Sequence, residues 1–356
     1  MTEQAKWRDE VDRAILATLA ELVASIIPVG AAGDDLTHVI ARATEGGKRV
    51  RSAMLIASHH AHSGSNHGAA VSLAAALELF HAAALLHDDV LDDSDTRRGR
   101  PSAHRTIAAM HASGAWQGDA DDFGRAGAIL AGDLALMAST RALQTASSRL
   151  PEAARERVVR LFLEMSDLVT AGQYLDMRTA AQPLDALPNQ EADIRATMRA
   201  KTASYTCEGP LALGAAVANT SDADVAAVKA VGVPLGVAFQ LRDDLLGLVG
   251  TAATGKPSGD DVREGKRTLV LFLAWTNANE PQRTAIRRAL GVRQASAADV
   301  KAAVAAIVAT GAVETVEREI ETTARRARAD LAGLGLVPPY ARLLDAIAEE
   351  AVARDR

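Results

Sequence analysis

Cysteine is nearly absent from this 356-residue chain: Cys207 stands alone, which excludes internal disulfides and any multi-cysteine metal site. Aromatic residues are scarce too, at 3% of the sequence, although hydrophobic residues of all kinds make up 48%. The core must therefore be built from Ala, Leu and Val, and Ala and Leu form helices more readily than strands. Alternating Val/Ile/Thr runs closed by tight-turn dipeptides are missing, so strand signals are nearly absent. Basic stripes interleaved with aromatics are missing as well, and the net charge is −6, which argues against a nucleic-acid surface. No run reaches the ~18 consecutive apolar residues expected of a spanning helix. The N-terminal MTEQAKWRDEVDRAILATLAEL is charged and amphipathic, without the apolar stretch of a secretory signal. These absences predict a soluble, cytoplasmic protein with no membrane span.

What is present is helical periodicity. Ala/Leu-rich segments predict helices over about 5–27, 35–44, 49–63, 68–93, 102–112, 124–148, 151–178, 190–218, 221–249, 266–278, 281–290, 297–309, 312–333 and 338–354. Turn signals fall between them, as at Pro28-Val29-Gly30, Gly99-Arg100-Pro101 and Pro338-Pro339. Nothing in the composition marks a linker, so the expectation is one all-α domain spanning 1–356. Its longest helices are too apolar for a surface and should surround a core or a cavity. Ala74-Ala75-Ala76 and Ala82-Ala83-Ala84 either pack helices closely or leave space open.

Two aspartate pairs sit inside long helical patterns, Asp88-Asp89 in LLHDDVLDDSDTRRGRP and Asp243-Asp244 in FQLRDDLLG. On a helix Asp88 and Asp92 are i and i+4, so their carboxylates share a face one turn apart. Such repulsion near a helix C-terminus, where the macrodipole also disfavours acids, calls for a cation. A hard, all-carboxylate set points to Mg²⁺, which completes its shell with water and phosphate oxygens. Arg97 and Arg98 follow at once, with guanidinium forks suited to a polyanion. GGKRVR, with Lys48 and Arg51 three apart, opens a helix; it is either a phosphate-binding turn or a solvated basic one, and it lacks nucleotide P-loop spacing. His81 lies two turns before Asp88 on nearly the same face. Lys201-Thr202 falls mid-helix, and Gln240 precedes Asp243 by three. The Gly-rich segment from Gly255 to Thr268 supplies Lys256 and Lys266 and has the composition of a lid.

Taken in order, GGKRVR, ELFHAAALLHDDVLDDSDTRRGRP, LAGD, GQYLD, KTAS, FQLRDD and GKPSGDDVREGKRT resemble the trans-isoprenyl (polyprenyl) diphosphate synthases, most of all actinobacterial geranylgeranyl- and farnesyl-type enzymes. The resemblance runs from about residue 40 to 275. It implies an isoprenoid-synthase helical bundle around an apolar cavity, a homodimer, and Mg²⁺-dependent condensation of isopentenyl diphosphate with allylic diphosphates. Asp88 and Asp92 would hold two Mg²⁺ and Asp243 a third, with Asp89 and Asp244 supporting. Arg97, Lys201, Lys256 and Lys266 would bind the allylic diphosphate, and Lys48, Arg51, His81 and Arg98 isopentenyl diphosphate. Thr202 and Gln240 would face the developing allylic cation, and Gln173 and Asp176 would brace Lys201.

One position departs from the family. The second motif usually reads DDxxD, and its third acid is here Gly247; Asp260 or Asp261 could compensate. Restoring that acid at Gly247 is expected to sharpen Mg²⁺ binding, and helix propensity predicts that it would also stabilise the helix. A class I terpene cyclase shares the first motif but has no use for Lys48, Arg51, His81 and Arg98. A non-catalytic partner subunit should have eroded metal ligands. Ala83 and Ala84 leave room before Asp88, and Phe80 is the first bulky side chain behind them. In the family that the chain resembles, a floor five residues before the first aspartate goes with C15 products, so a floor at Phe80 implies C20, with C15 and C25 as alternatives.

Overall fold

The computed structural model describes residues 2–250 and 258–353. The chain divides into two compact units, Met1–Val159 with Gly214–Asn219, and Arg160–Leu213 with Thr220–Arg356. Both are helical, as the Ala/Leu composition requires.

The first unit contains α1 (Glu3–Ile26), α2 (Ala31–Thr44), α3 (Val50–Ala61), α4 (His67–Leu91), α5 (Ala103–Ser113) and α6 (Ala120–Ser147); α7 (Glu152–Ala180) crosses its boundary. Side-chain caps fix several starts, since orphan amides at a helix N-terminus need acceptors. Thr2 caps α1, Asn66 caps α4 and Asp119 caps α6. α4 is apolar nearly all round, and Ala74, Ala75 and Ala76 are completely buried. On α6, Ala128, Ala131, Ala135, Ala138 and Ala142 are at most 2% exposed, and Ser139 Oγ donates across to the Ala76 carbonyl at 2.7 Å. A Cβ at Gly132 would lie 2.2 Å from the His87 ring. Small residues here therefore serve close packing.

α3 carries a histidine cluster against α1 and α4. His59 is fully buried and neither ring nitrogen has a hydrogen-bond partner. His60 stacks on Trp7 and contacts His67 (Nε2···Nδ1 3.1 Å), which in turn meets Glu10 at 2.7 Å. Burial, then the neighbouring His60, His67 and His62, push the His59 pKa down to about 4. The unfolded chain thus binds a proton that the native protein refuses, so this stability is complete above pH 6.5 and is lost as pH falls towards 4. The expected loss is about 2 kcal/mol between pH 7.5 and pH 5. Denaturant titrations at the two pH values should show it, and His59→Leu should flatten the slope.

The only β structure among the described residues is a hairpin pairing Thr96 with Pro101 and Arg97 with Arg100, which the sequence did not signal. Its two central residues, Arg98 (φ 53°) and Gly99 (φ 72°), are both left-handed, as a tight hairpin turn demands.

The second unit contains α8 (Glu191–Thr197), a π-helical segment (Met198–Glu208), α9 (Gly209–Val217, crossing the boundary), α10 (Asp222–Val249), α11 (Asp260–Glu264), α12 (Leu269–Asn277), α13 (Glu280–Ala289), α14 (Ala297–Val308), α15 (Ala312–Ala332) and α16 (Pro338–Val352). The continuous α-helix expected over 190–218 is thus interrupted by π turns, and α11 is additional. Leu241, Leu245, Leu269, Trp275, Val316 and Ile320 share one core. Arg242 ties α10 to α15 by a fork on Glu317 (2.7 and 2.8 Å) and to α16 through the Val352 carbonyl.

Unbroken apolar runs are absent, yet α4, α6 and α10 are long and apolar enough to cross a membrane by length and composition; 78%, 50% and 50% of their apolar windows are buried inside the protein. The sequence expectation on spanning segments is corrected to that extent.

Candidate active site

In the first unit the chemistry gathers at the end of α4. His81, Ala84, Leu85, Asp88 and Asp92 are all half-buried and follow one another at helical spacing, so they form one open stripe beyond the fully buried middle of the helix, residues 72–80. Phe80 is 5% exposed and Ala83 is fully buried, off that stripe. Ala83 therefore packs in the core instead of keeping a channel open, and a Phe there would overpack. Asp89 is buried and accepts from Arg97 Nε at 2.8 Å and from Arg97 Nη2; Arg97 also lies 3.8 Å from Asp88. Burial still outweighs this pairing and, with Asp88 and Asp92 adding repulsion, raises the Asp89 pKa to about 6. Asp93 and Asp95 are not part of the stripe. They turn to Arg105 on α5, at 4.0 and 2.5 Å, a partner the sequence did not reveal.

The basic turn before α3 meets the hairpin. Arg98 donates to the Glu45 carbonyl, and a Cβ at Gly47 would lie 3.2 Å from its Nη2. Gly46 and Gly47 (φ 74° and 79°) thus allow close backbone approach to a guanidinium. His81 is held neutral, its pKa well below the ordinary value, by desolvation and by Arg51, Arg98, Arg97 and Arg49 around it. The structure so brings together His81, Arg51 and Arg98, while Lys48 is exposed in the turn. A cavity of about 320 Å³ is lined by Arg42, Gly46, Leu86, Asp89, Arg97 and Arg98, among others.

The second unit positions Lys201 and Thr202 on the π-helical segment. Three glycines press on its backbone. A Cβ at Gly172 of α7 would lie 2.5 Å from Lys201 N, one at Gly236 of α10 2.4 Å from Ala203 Cα, and one at Gly232 2.6 Å from Glu208 Cα. π turns recur at functional sites, and here no side chain can separate the segment from α7 or α10. Lys201 Nζ donates to Asp176 Oδ2 at 2.7 Å, and Thr202 is buried. Gln173 Nε2 is buried without a hydrogen-bond partner. Gly236→Ala is expected to destabilise the protein by about 1–3 kcal/mol through overpacking and to weaken catalysis by shifting Thr202. Thermal denaturation with steady-state rates would check both effects.

On α10, Asp243 is half-buried and Asp244 buried; Gln240 Nε2 donates to Asp244 Oδ1 at 2.5 Å. Burial, then Asp261, Asp243 and Asp176, raise the Asp244 pKa well above the ordinary carboxylate value. At Gly247 an added Cβ would lie 2.1 Å from Asp261 Oδ2 and 2.5 Å from its Cγ. The Asp261 carboxylate already fills the space that a side chain at 247 would enter. Lys266 pairs with Glu264 at 2.6 Å and lies 3.8 Å from Asp261. Lys256 lies outside the described residues.

Donor chemistry fits Mg²⁺. The acidic sets present oxygen ligands only, and like charges crowd Asp89 and Asp244. Among the described residues no three His, Cys, Asp or Glu side chains close around an ion. Mg²⁺ needs only one or two carboxylates, because it keeps several waters and binds substrate phosphate.

The profile of the Polyprenyl synthetase family matches residues 34–307. The chain is 34% identical over 276 residues to a geranylgeranyl diphosphate synthase of Mycobacterium tuberculosis, covering 76% of this chain and 71% of that protein. It is also 31% identical over 318 residues to an octaprenyl diphosphate synthase of Escherichia coli, covering 87% of each. The crystal structure of geranylgeranyl pyrophosphate synthase from Corynebacterium glutamicum, complexed with isoprenyl diphosphate and magnesium, superposes with a TM-score of 0.92 at 35% identity, over 99% of this chain and 100% of that one. With the aspartate pairs, the basic turn and the helical fold in place, the chain belongs to the polyprenyl synthetase family of prenyltransferases.

Proposed function

We infer that the protein is a short-chain trans-prenyltransferase that condenses isopentenyl diphosphate with allylic diphosphates and releases geranylgeranyl diphosphate. The observation that carries this is the open stripe on α4, where His81, Ala84, Asp88 and Asp92 share one half-buried face beyond the helix's buried middle. Asp88, Asp92 and Asp243 would hold three Mg²⁺, with Asp89 and Asp244 acting through water. When bound, the metal neutralises the leaving diphosphate as the allylic C–O bond breaks. Arg97, Lys201, Lys256 and Lys266 bind that same diphosphate, where cationic donors are worth most as charge develops. Lys48, Arg51, His81 and Arg98 hold isopentenyl diphosphate; neutral His81 still donates one N–H. Thr202 and Gln240 direct oxygens to the allylic cation, and apolar walls keep water from quenching it. The departing diphosphate removes the final proton, so no separate protein base is needed.

Chain 1–356 serves this reaction as one domain in the cytoplasm. A homodimer is supported by α6, where Phe123, Leu130 and Met137 are 43–55% exposed at seven-residue spacing. A non-catalytic partner subunit is the weaker reading, because only Gly247 departs from the ligand pattern.

Product length tests the proposal. Moving the floor from Ala84 back to Phe80, about 6 Å along the helix and roughly one isoprene unit, takes the product from C15 to C20. Ala84→Phe should shorten the product to C15 or less, and Phe80→Ala should extend it beyond C20. Chromatography of the dephosphorylated products would decide; an unchanged distribution in both variants would remove Phe80 as the floor and leave C15 or C25 open.

A further inference from the structure

GGKRVR holds three cations, but the structure treats the middle one differently. Arg49 caps α3 in a left-handed conformation (φ 53°, ψ 37°), and its side chain is only 10% exposed. Nε and Nη2 donate to Asp12 Oδ1 of α1 at 3.0 and 2.8 Å, Nη2 also to the Thr44 carbonyl ending α2 at 2.6 Å, and Nη1 to Glu78 Oε2 of α4 at 3.0 Å. Four of its five N–H donors are thereby engaged on one fork. Glu78 is buried, and its other oxygen accepts from Ser52 Oγ at 2.6 Å. One carboxylate on α4 thus fastens the residues on both sides of Arg51, three residues before His81.

Binding a diphosphate takes N–H donors to spare and an open position, and Arg49, with four donors engaged and its side chain 10% exposed, has neither. We propose that Arg49, clamped by Glu78 and Asp12, is a positioning residue that holds the left-handed turn so that Lys48 and Arg51 meet isopentenyl diphosphate. The clamp rests on the reading above that this turn binds that substrate. Only an arginine fork reaches three elements at once, so lysine is not an equivalent replacement.

Glu78→Gln separates positioning from simple charge. Removing a negative charge near the site of a polyanion tightens binding if Glu78 acts only through its field. It weakens binding if Glu78 holds the turn. Calorimetric titration of the full-length protein with isopentenyl diphosphate, without an allylic partner, measures this directly. Arg49→Lys and Glu78→Gln should each raise the dissociation constant about tenfold, and the double variant should be little worse than either, because both break one clamp. In turnover the KM for isopentenyl diphosphate should rise while kcat and the KM for farnesyl diphosphate stay within about twofold. Ser52→Ala, which removes one hydrogen bond, should give a smaller change of the same sign and covers the case in which the charged variants fail to fold. Tighter or unchanged binding in Glu78→Gln, or effects that multiply in the double variant, would overturn the proposal. Wild-type protein that does not bind isopentenyl diphosphate would instead overturn the assigned function.

Discussion

Asp88→Ala and Asp92→Ala should each lower turnover by about three orders of magnitude or more, since a metal at a developing charge contributes several kcal/mol and each 1.36 kcal/mol is tenfold in rate. The fold should survive. Both carboxylates are half-buried on the open face of α4, and Asp92 is its C-cap, where a negative charge opposes the helix dipole. Relieving the repulsion among Asp88, Asp89 and Asp92 should therefore raise the melting temperature of the metal-free protein slightly. Steady-state rates and calorimetric melting on the same preparations check the two halves together. Near-normal turnover in either variant would contradict the ligand assignment.

Gly247→Asp restores the family's third acid and should nevertheless damage the enzyme. Helix propensity taken alone favours the change by up to about 1 kcal/mol. The structure reverses the sign, because a Cβ at 247 would lie 2.1 Å from Asp261 Oδ2 and would bring a second carboxylate into the same space. Asp261 must shift, and a misplacement of about 1 Å near the reacting groups can cost 10²-fold in rate. Turnover should fall by about that factor, the Mg²⁺ needed for half-maximal rate should rise, and the melting temperature should drop. Gly247→Asp combined with Asp261→Gly should recover much of the loss, with the acid returned to the helix. A single variant as active as wild type would mean that Asp261 moves aside freely.

Helix positions were legible because periodicity and caps act locally. The expected 68–93, 221–249 and 312–333 appear as His67–Leu91, Asp222–Val249 and Ala312–Ala332, and Asn66 and Ser221 cap the first two. The π-helical segment was not legible. MRAKTASYTCE has ordinary helical character, and its register is imposed by Gly172, Gly232 and Gly236, which are distant in sequence. The hairpin was hidden because its turn is Arg98-Gly99 instead of an asparagine or aspartate pair with glycine. Spacing placed the aspartates and the basic turn, but it could not separate Arg49 from Lys48 and Arg51. That distinction depends on Asp12 and Glu78, whose carboxylates are brought to Arg49 by folding alone. Asp261 is similar: sequence offered Asp260 or Asp261 beside Gly247, and only packing selects between them.

The central claim, transfer of an allylic group to isopentenyl diphosphate, is tested most directly with labelled isopentenyl diphosphate and the full-length protein in Mg²⁺. Dimethylallyl, geranyl and farnesyl diphosphates are each supplied as the partner. The account predicts label in an all-trans C20 diphosphate from every primer, and none when Mg²⁺ is chelated. Absence of any labelled allylic product with all three primers would contradict it.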